Sequence, residues 1–191
     1  MSEPTVLPAS DAPTASASPA RWRRDLLFFA IAAVIVGADQ FTKWLVRSNL
    51  ALGEQWPDHA ILHARIIHVV NSGAAFGILQ GQTPFLIVTS MLGLGAIVLY
   101  YLYPPMEHGL IRVALGMQLG GAIGNLIDRV RVGEVTDFID VGRFPTFNVA
   151  DASISISIVV VLIFFALQES DDGRKNSEPP VDAGAAQARE D

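Results

Sequence analysis

Four stretches of the chain are almost purely apolar, and polar residues gather at their ends and in the segments between. They run from about Asp25 to Val46, Pro84 to Tyr103, Leu110 to Ile127 and Val149 to Leu167. Each is close to the ~20 residues with which a helix crosses ~30 Å of hydrocarbon. Backbone N–H and C=O groups find no partner in lipid, so each span is predicted to be a helix. The largest segment between spans is 47–83. Within it Arg65-Ile-Ile-His-Val-Val70 is β-branched and strand-like, Asn71-Ser-Gly73 is a turn signal, and Ala74–Leu79 is the expected return strand. Residues 131–148, punctuated by Gly133, Gly142 and Pro145, read as a second loop. The predicted fold class is membrane all-α, with four transmembrane helices and a small extracytoplasmic β element between helices 1 and 2.

Composition adds two flanking regions. Residues 1–24 are rich in Ala, Ser, Pro and Thr without periodicity, and residues 169–191 are acidic; both are expected to be disordered tails around a membrane domain at 25–168. The net charge of −6 is concentrated in that second tail, which holds seven acids against three bases. No basic stripe exists beyond Arg21-Trp-Arg-Arg24, so no nucleic-acid partner is expected. The chain has no cysteine, which excludes disulfides, a thiol nucleophile and a thiolate metal site. No internal repeat is visible.

Arg21, Arg23 and Arg24 precede the first span and place that flank in the cytoplasm. Four spans then return both termini to the cytoplasmic side. Trp22 and Tyr100, Tyr101 and Tyr103 fit one interfacial belt and Trp44 the other. Arg47, Arg65, Arg129, Arg131 and Arg143 fall outside in this orientation, so it rests on the first flank. The same flank followed by Leu26–Val36 also has the look of a cleavable signal peptide. Apolar character resumes at Phe41, Trp44, Leu45 and Val46, however, so a retained helix is predicted.

In this topology three acids fall near the outer ends of spans: Asp39, Asp128 and Asp151. A carboxylate at the edge of a bilayer core is costly and is kept where it pairs or works. Gly116, Gly120, Gly124 and Asp128 share one helical row, a groove for close packing that a neighbouring helix or a substrate can enter. Asn125 precedes Asp128 by three residues, and Asn148 precedes Asp151 by three, setting an amide beside each carboxylate. Two facing carboxylates would share one proton and activate a water. The plainer alternatives are an ion pair of Asp128 with Arg129 and a helix-dipole role for Asp151.

Asp39 and Lys43 are spaced i,i+4, the geometry of an intrahelical ion pair that would organise a site or bind substrate. Asn71 reads first as a turn former. Ser153, Ser155 and Ser157 read as helix-packing residues. His59 and His63 have the spacing of a metal pair but no known ligand pattern around them, so no metal and no cofactor are expected. Two rival functions remain open: a Ser–Lys peptidase using Lys43 with Ser72 or Ser153, and a proton-coupled membrane carrier using Asp39, Asp128 and Asp151 as a relay.

Four stretches in order, Asp39-Gln-Phe-Thr-Lys43, Val70-Asn-Ser-Gly-Ala-Ala-Phe-Gly77, Gly124-Asn-Leu-Ile-Asp-Arg129 and Phe147-Asn-Val-Ala-Asp-Ala152, resemble the bacterial lipoprotein signal peptidases, or signal peptidase II. The resemblance covers roughly residues 25–167. It implies an aspartic endopeptidase of the bacterial cytoplasmic (inner) membrane, with its site near the extracytoplasmic face. The substrate implied is a prolipoprotein, cut just before a cysteine that carries diacylglycerol. Membrane lipid is the other implied partner. Asp128 and Asp151 would be the catalytic pair. Asp39, Lys43, Asn71, Asn125, Arg129 and Asn148 would bind substrate or organise the site.

Overall fold

The structure is a computed structural model and describes residues 19–61, 64–74, 78–104 and 108–177. Its elements are α1 (Pro19–Asn49), β1 (Gln55–Ile61), β2 (Ala64–Asn71), α2 (Thr83–Leu102), α3 (Gly109–Arg131), β3 (Val135–Asp140) and α4 (Val149–Ser177). All four helices contain a stretch long and apolar enough to cross a membrane. Both outer helices exceed the expected spans: α1 begins at Pro19 rather than near Asp25, and α4 continues to Ser177. The tails predicted at 1–24 and 169–191 are therefore helical at 19–24 and 169–177, and 1–18 and 178–191 lie outside the described residues.

α3 touches each of the other three helices. Its glycine row allows this. A Cβ on Gly116 would lie 2.9 Å from the Phe28 carbonyl oxygen of α1, and one on Gly120 would lie 2.7 Å from that of Ala32. A Cβ on Gly121, one position round the helix, would lie 2.6 Å from the Ala150 carbonyl oxygen of α4. Two helices thus press on adjoining faces of α3 at backbone contact. Phe28, Ala32 and Leu119 form the buried apolar centre, and Phe28 stacks on Tyr101 of α2. Leu92, Leu99, Val34 and Leu162 point outward, as lipid-facing side chains do.

The β element differs from expectation in its third strand. The sheet has the order β1-β2-β3, antiparallel throughout. The return partner of β2 is not Ala74–Leu79: Ala74 is in a bend, residues 78–80 form a turn, and 75–77 lie outside the described residues. β2 pairs instead with β1 and, across the helical pair α2–α3, with Val135–Asp140. That strand lies in the region read as a loop. Its outer edge is closed by Phe147, whose N–H and C=O bond Ile139. This bridge sets the start of α4 beside β3.

Candidate active site

Asn148 caps α4. Its Oδ1 accepts the Asp151 N–H at 3.0 Å, and Asp151 Oδ2 accepts the Asn148 N–H at 3.3 Å, a reciprocal capping box. The helix-terminal role foreseen for Asp151 is therefore real, but it uses one carboxylate oxygen only. The other, Oδ1, accepts the Asn125 side-chain amide from α3 at 2.7 Å.

The Asn148 side-chain amide points away from α4, to Asp137 Oδ1 at 2.7 Å. Asp137 Oδ2 accepts the Asn71 amide at 2.9 Å. In the β2–β3 register Asn71 stands opposite Val135, two residues from Asp137 and so on the same face of the sheet. Asn71 also closes its own turn, its Oδ1 accepting the Gly73 N–H at 2.9 Å. Asp137 and Asp151 each receive one N–H on each oxygen, and Asn148 serves both.

Asp137, Asp151, Asn71, Asn125 and Arg129 line one cavity of about 1130 Å³. Its other walls include Phe144 and Phe147, Ile154 and Ile156 of α4, and Val69 of β2. Arg129 lies among the acids and donates to the Gly73 carbonyl at 3.2 Å, fixing the loop after β2. Burial pushes the Asp137 carboxyl up to about 6, and the charge of Asp151 adds to the shift; the amides of Asn71 and Asn148 oppose it. Asp140, three residues along β3, behaves oppositely. The Gly142 N–H and then Arg65 hold it below the usual carboxylate range.

Asp128 does not join this pair. It is as buried as Asp137 but, unlike Asp137, is not among the cavity-lining residues. Its Oδ1 accepts Arg47 Nη2 at 2.8 Å, and its Oδ2 lies 3.2 Å from both Lys43 Nζ and the Thr136 N–H. Asp151, expected to face Asp128, thus shares the cavity with Asp137, while Asp128 is engaged by two cations. Its ion-pair partners are Lys43 and Arg47 rather than the adjacent Arg129. Asn125, expected beside Asp128, turns to Asp151 instead.

The Asp39–Lys43 pair forms as expected, at 2.8 Å with both side chains fully buried. Lys43 Nζ also donates to Asn125 Oδ1 at 3.0 Å, so the pair on α1 supports the amide that holds Asp151. Asp39 Oδ1 accepts the Ala150 N–H at the start of α4. Lys43 is thereby committed to carboxylates, and Ser153 bonds helix carbonyls of Met117 and Ala150, which leaves neither arranged as a Ser–Lys couple. Among the described residues no cluster of His, Asp and Glu has the geometry to hold a metal ion. His63 and the side chain of His59 lie outside the described residues.

The fold and this site define a multi-pass membrane protein with a buried acid–amide centre opening into a large cavity. Residues 31–167 match the family model described as signal peptidase (SPase) II. The chain is 44% identical over 159 residues to a lipoprotein signal peptidase of Dehalococcoides mccartyi (strain ATCC BAA-2266 / KCTC 15142 / 195), covering 81% of this chain and 98% of that one. It is 39% identical over 160 residues to the lipoprotein signal peptidase of Bacillus subtilis (strain 168), covering 80% and 99%. A solved bacterial membrane enzyme superposes with a TM-score of 0.70 at 34% identity, over 80% of this chain and 93% of the other. The chain belongs to the signal peptidase II family, and is a peptidase by that membership.

Proposed function

We propose that this chain is an aspartic endopeptidase that removes signal peptides from diacylglyceryl-modified prolipoproteins, cutting before the lipidated cysteine, with Asp137 and Asp151 as its catalytic pair. The observation that carries the reading is that these two residues line one cavity and are bridged by Asn148. Charge supports it. Four acids, Asp39, Asp128, Asp137 and Asp151, lie among three cations, Lys43, Arg47 and Arg129, so a single added proton makes the group neutral. That proton belongs to the pair as a unit, and burial favours Asp137 as its holder.

Asp151, ionised, takes a proton from water as the water attacks the scissile carbonyl. Asp137 donates its proton to the carbonyl oxygen. Collapse of the tetrahedral intermediate returns a proton to the leaving amine, and no acyl-enzyme forms. Asn71, Asn125 and Asn148 hold the carboxylates through these steps. The cavity wall of Phe144, Ile154 and Ile156 suits the apolar part of a substrate delivered from the lipid, whose anchor sets the depth of the scissile bond. The arginines before the first span support an orientation with the sheet and the site on the extracytoplasmic side of the cytoplasmic membrane and both termini inside. Asp39 and Asp128 are neutralised between them by Lys43 and Arg47, which favours this reading over a proton relay through them.

The test is processing of a lipidated precursor by Asp137→Asn and Asp151→Asn, with the unlipidated precursor alongside. Each variant is expected to fold and to leave the precursor uncut. Full processing by either would reject the pair.

A further inference from the structure

Thr136, the residue before Asp137, has every polar group engaged by a residue outside its own strand. Its N–H donates to Asp128 Oδ2 at 3.2 Å, its hydroxyl accepts Arg47 Nε at 2.8 Å, and its carbonyl accepts the Asn148 amide at 3.3 Å. β3 is the edge of the sheet, so these groups would otherwise lack partners in a place where 4% of the residue is exposed. The edge is held by the end of α1, the end of α3 and the cap of α4 at a single residue.

Arg47 is the member of this grip that spans two elements with one planar group. Its Nη2 meets Asp128 of α3 and its Nε meets Thr136 of β3, both at 2.8 Å. A guanidinium sets the angle as well as the distance between two acceptors; an ammonium satisfies charge without fixing both. Arg47 does not line the cavity, and its side chain is 33% exposed. We propose that Arg47 is a positioning residue for the peptidase reaction, locking Thr136 against Asp128 and so setting Asp137 relative to Asp151. Asp128 is the anchor of the same device. This rests on the reading of Asp137 as a catalytic acid.

The full-length protein is assayed on a lipidated precursor as Arg47→Lys, Thr136→Val, the double variant, and Thr136→Ser, with thermal unfolding in parallel. Arg47→Lys keeps the charge on Asp128 and loses the fork. Thr136→Val keeps shape and loses the acceptor. Each is expected to lower kcat about tenfold or more through misplacement of the acid, with KM within about twofold. The double variant is expected to be no worse than the poorer single variant, because both remove one link. Thr136→Ser, which keeps the hydroxyl, is expected to restore kcat. Wild-type kcat in folded Arg47→Lys and Thr136→Val, losses that multiply in the double variant, or a rise in KM at unchanged kcat would overturn the proposal. Asp137→Asn separates the two readings. Activity in that variant removes the catalytic pair itself, whereas inactivity there beside full activity in Arg47→Lys and Thr136→Val removes the positioning role alone.

Discussion

Asn148 Nδ2 lies 2.7 Å from Asp137 Oδ1, while the backbone N–H of the same asparagine reaches the second carboxylate, Asp151. One fully buried residue therefore sets the spacing of the pair and starts the helix that carries half of it. Asn148→Ala is expected to reduce processing by about a hundredfold, since a misplacement near 1 Å is enough for that loss. It is also expected to destabilise the fold by roughly 1–3 kcal/mol, as buried partners lose their bonds. Kinetics on a lipidated precursor and thermal unfolding measure both.

Asp128 and Asp137 should respond differently to the same change. Asp128→Asn leaves Lys43 and Arg47 facing a neutral amide. Breaking such a buried pair costs about 3–5 kcal/mol, so a large drop in thermal midpoint is expected with some activity in the molecules that remain folded. Asp137→Asn is expected to abolish activity without a comparable drop. Comparing activity per folded molecule for the two variants checks the assignment.

Activity should depend on pH through the shared proton. Burial pushes the Asp137 carboxyl up to about 6, with Asp151, Arg129 and Lys43 around it, so kcat/KM is expected to fall as pH rises above that value. The Asn71 amide stabilises the ionised carboxylate. Asn71→Leu removes that help, raises the pKa, and is expected to move the alkaline limb to higher pH. The folding linkage has the same sign. The stabilisation from this proton is full below the ordinary 3.8 and is lost as pH rises through about 6. A limb that moves down in Asn71→Leu would contradict the account.

The glycine row offers a test of packing against chemistry. Gly120→Ala sets a methyl against the α1 backbone, and overpacking of this kind costs roughly 1–3 kcal/mol. Gly124→Ala meets the Asp39 carboxylate first, at 2.6 Å. It is expected to displace the Asp39–Lys43 pair and lower kcat as well as stability. The two variants, compared for kcat at matched temperature, distinguish the effects.

The membrane spans were legible because length and apolarity are local properties. The glycine row and the Asp39–Lys43 spacing were legible because helical periodicity is local too. Asp137 was not. It stands in Val135-Thr-Asp-Phe-Ile-Asp140, a six-residue strand with two acids between a glycine turn and a proline, and an acid in such a segment reads as solvated. Its β-branched and aromatic neighbours were the available signal for a strand. Asp128, by contrast, stood out for being near the bilayer core, and that very position is where Lys43 and Arg47 neutralise it.

Sequence alone determined that the chain crosses a membrane four times and that acids and amides collect at one end of the spans, since hydropathy and residue spacing act over a few turns. Only the tertiary structure decided which acid faces the cavity. That depends on β3 pairing with β2, on Phe147 bridging its edge, and on two cations from α1 pairing with Asp128. Contacts between residues tens of positions apart set the charge each carboxylate feels, and so its chemistry.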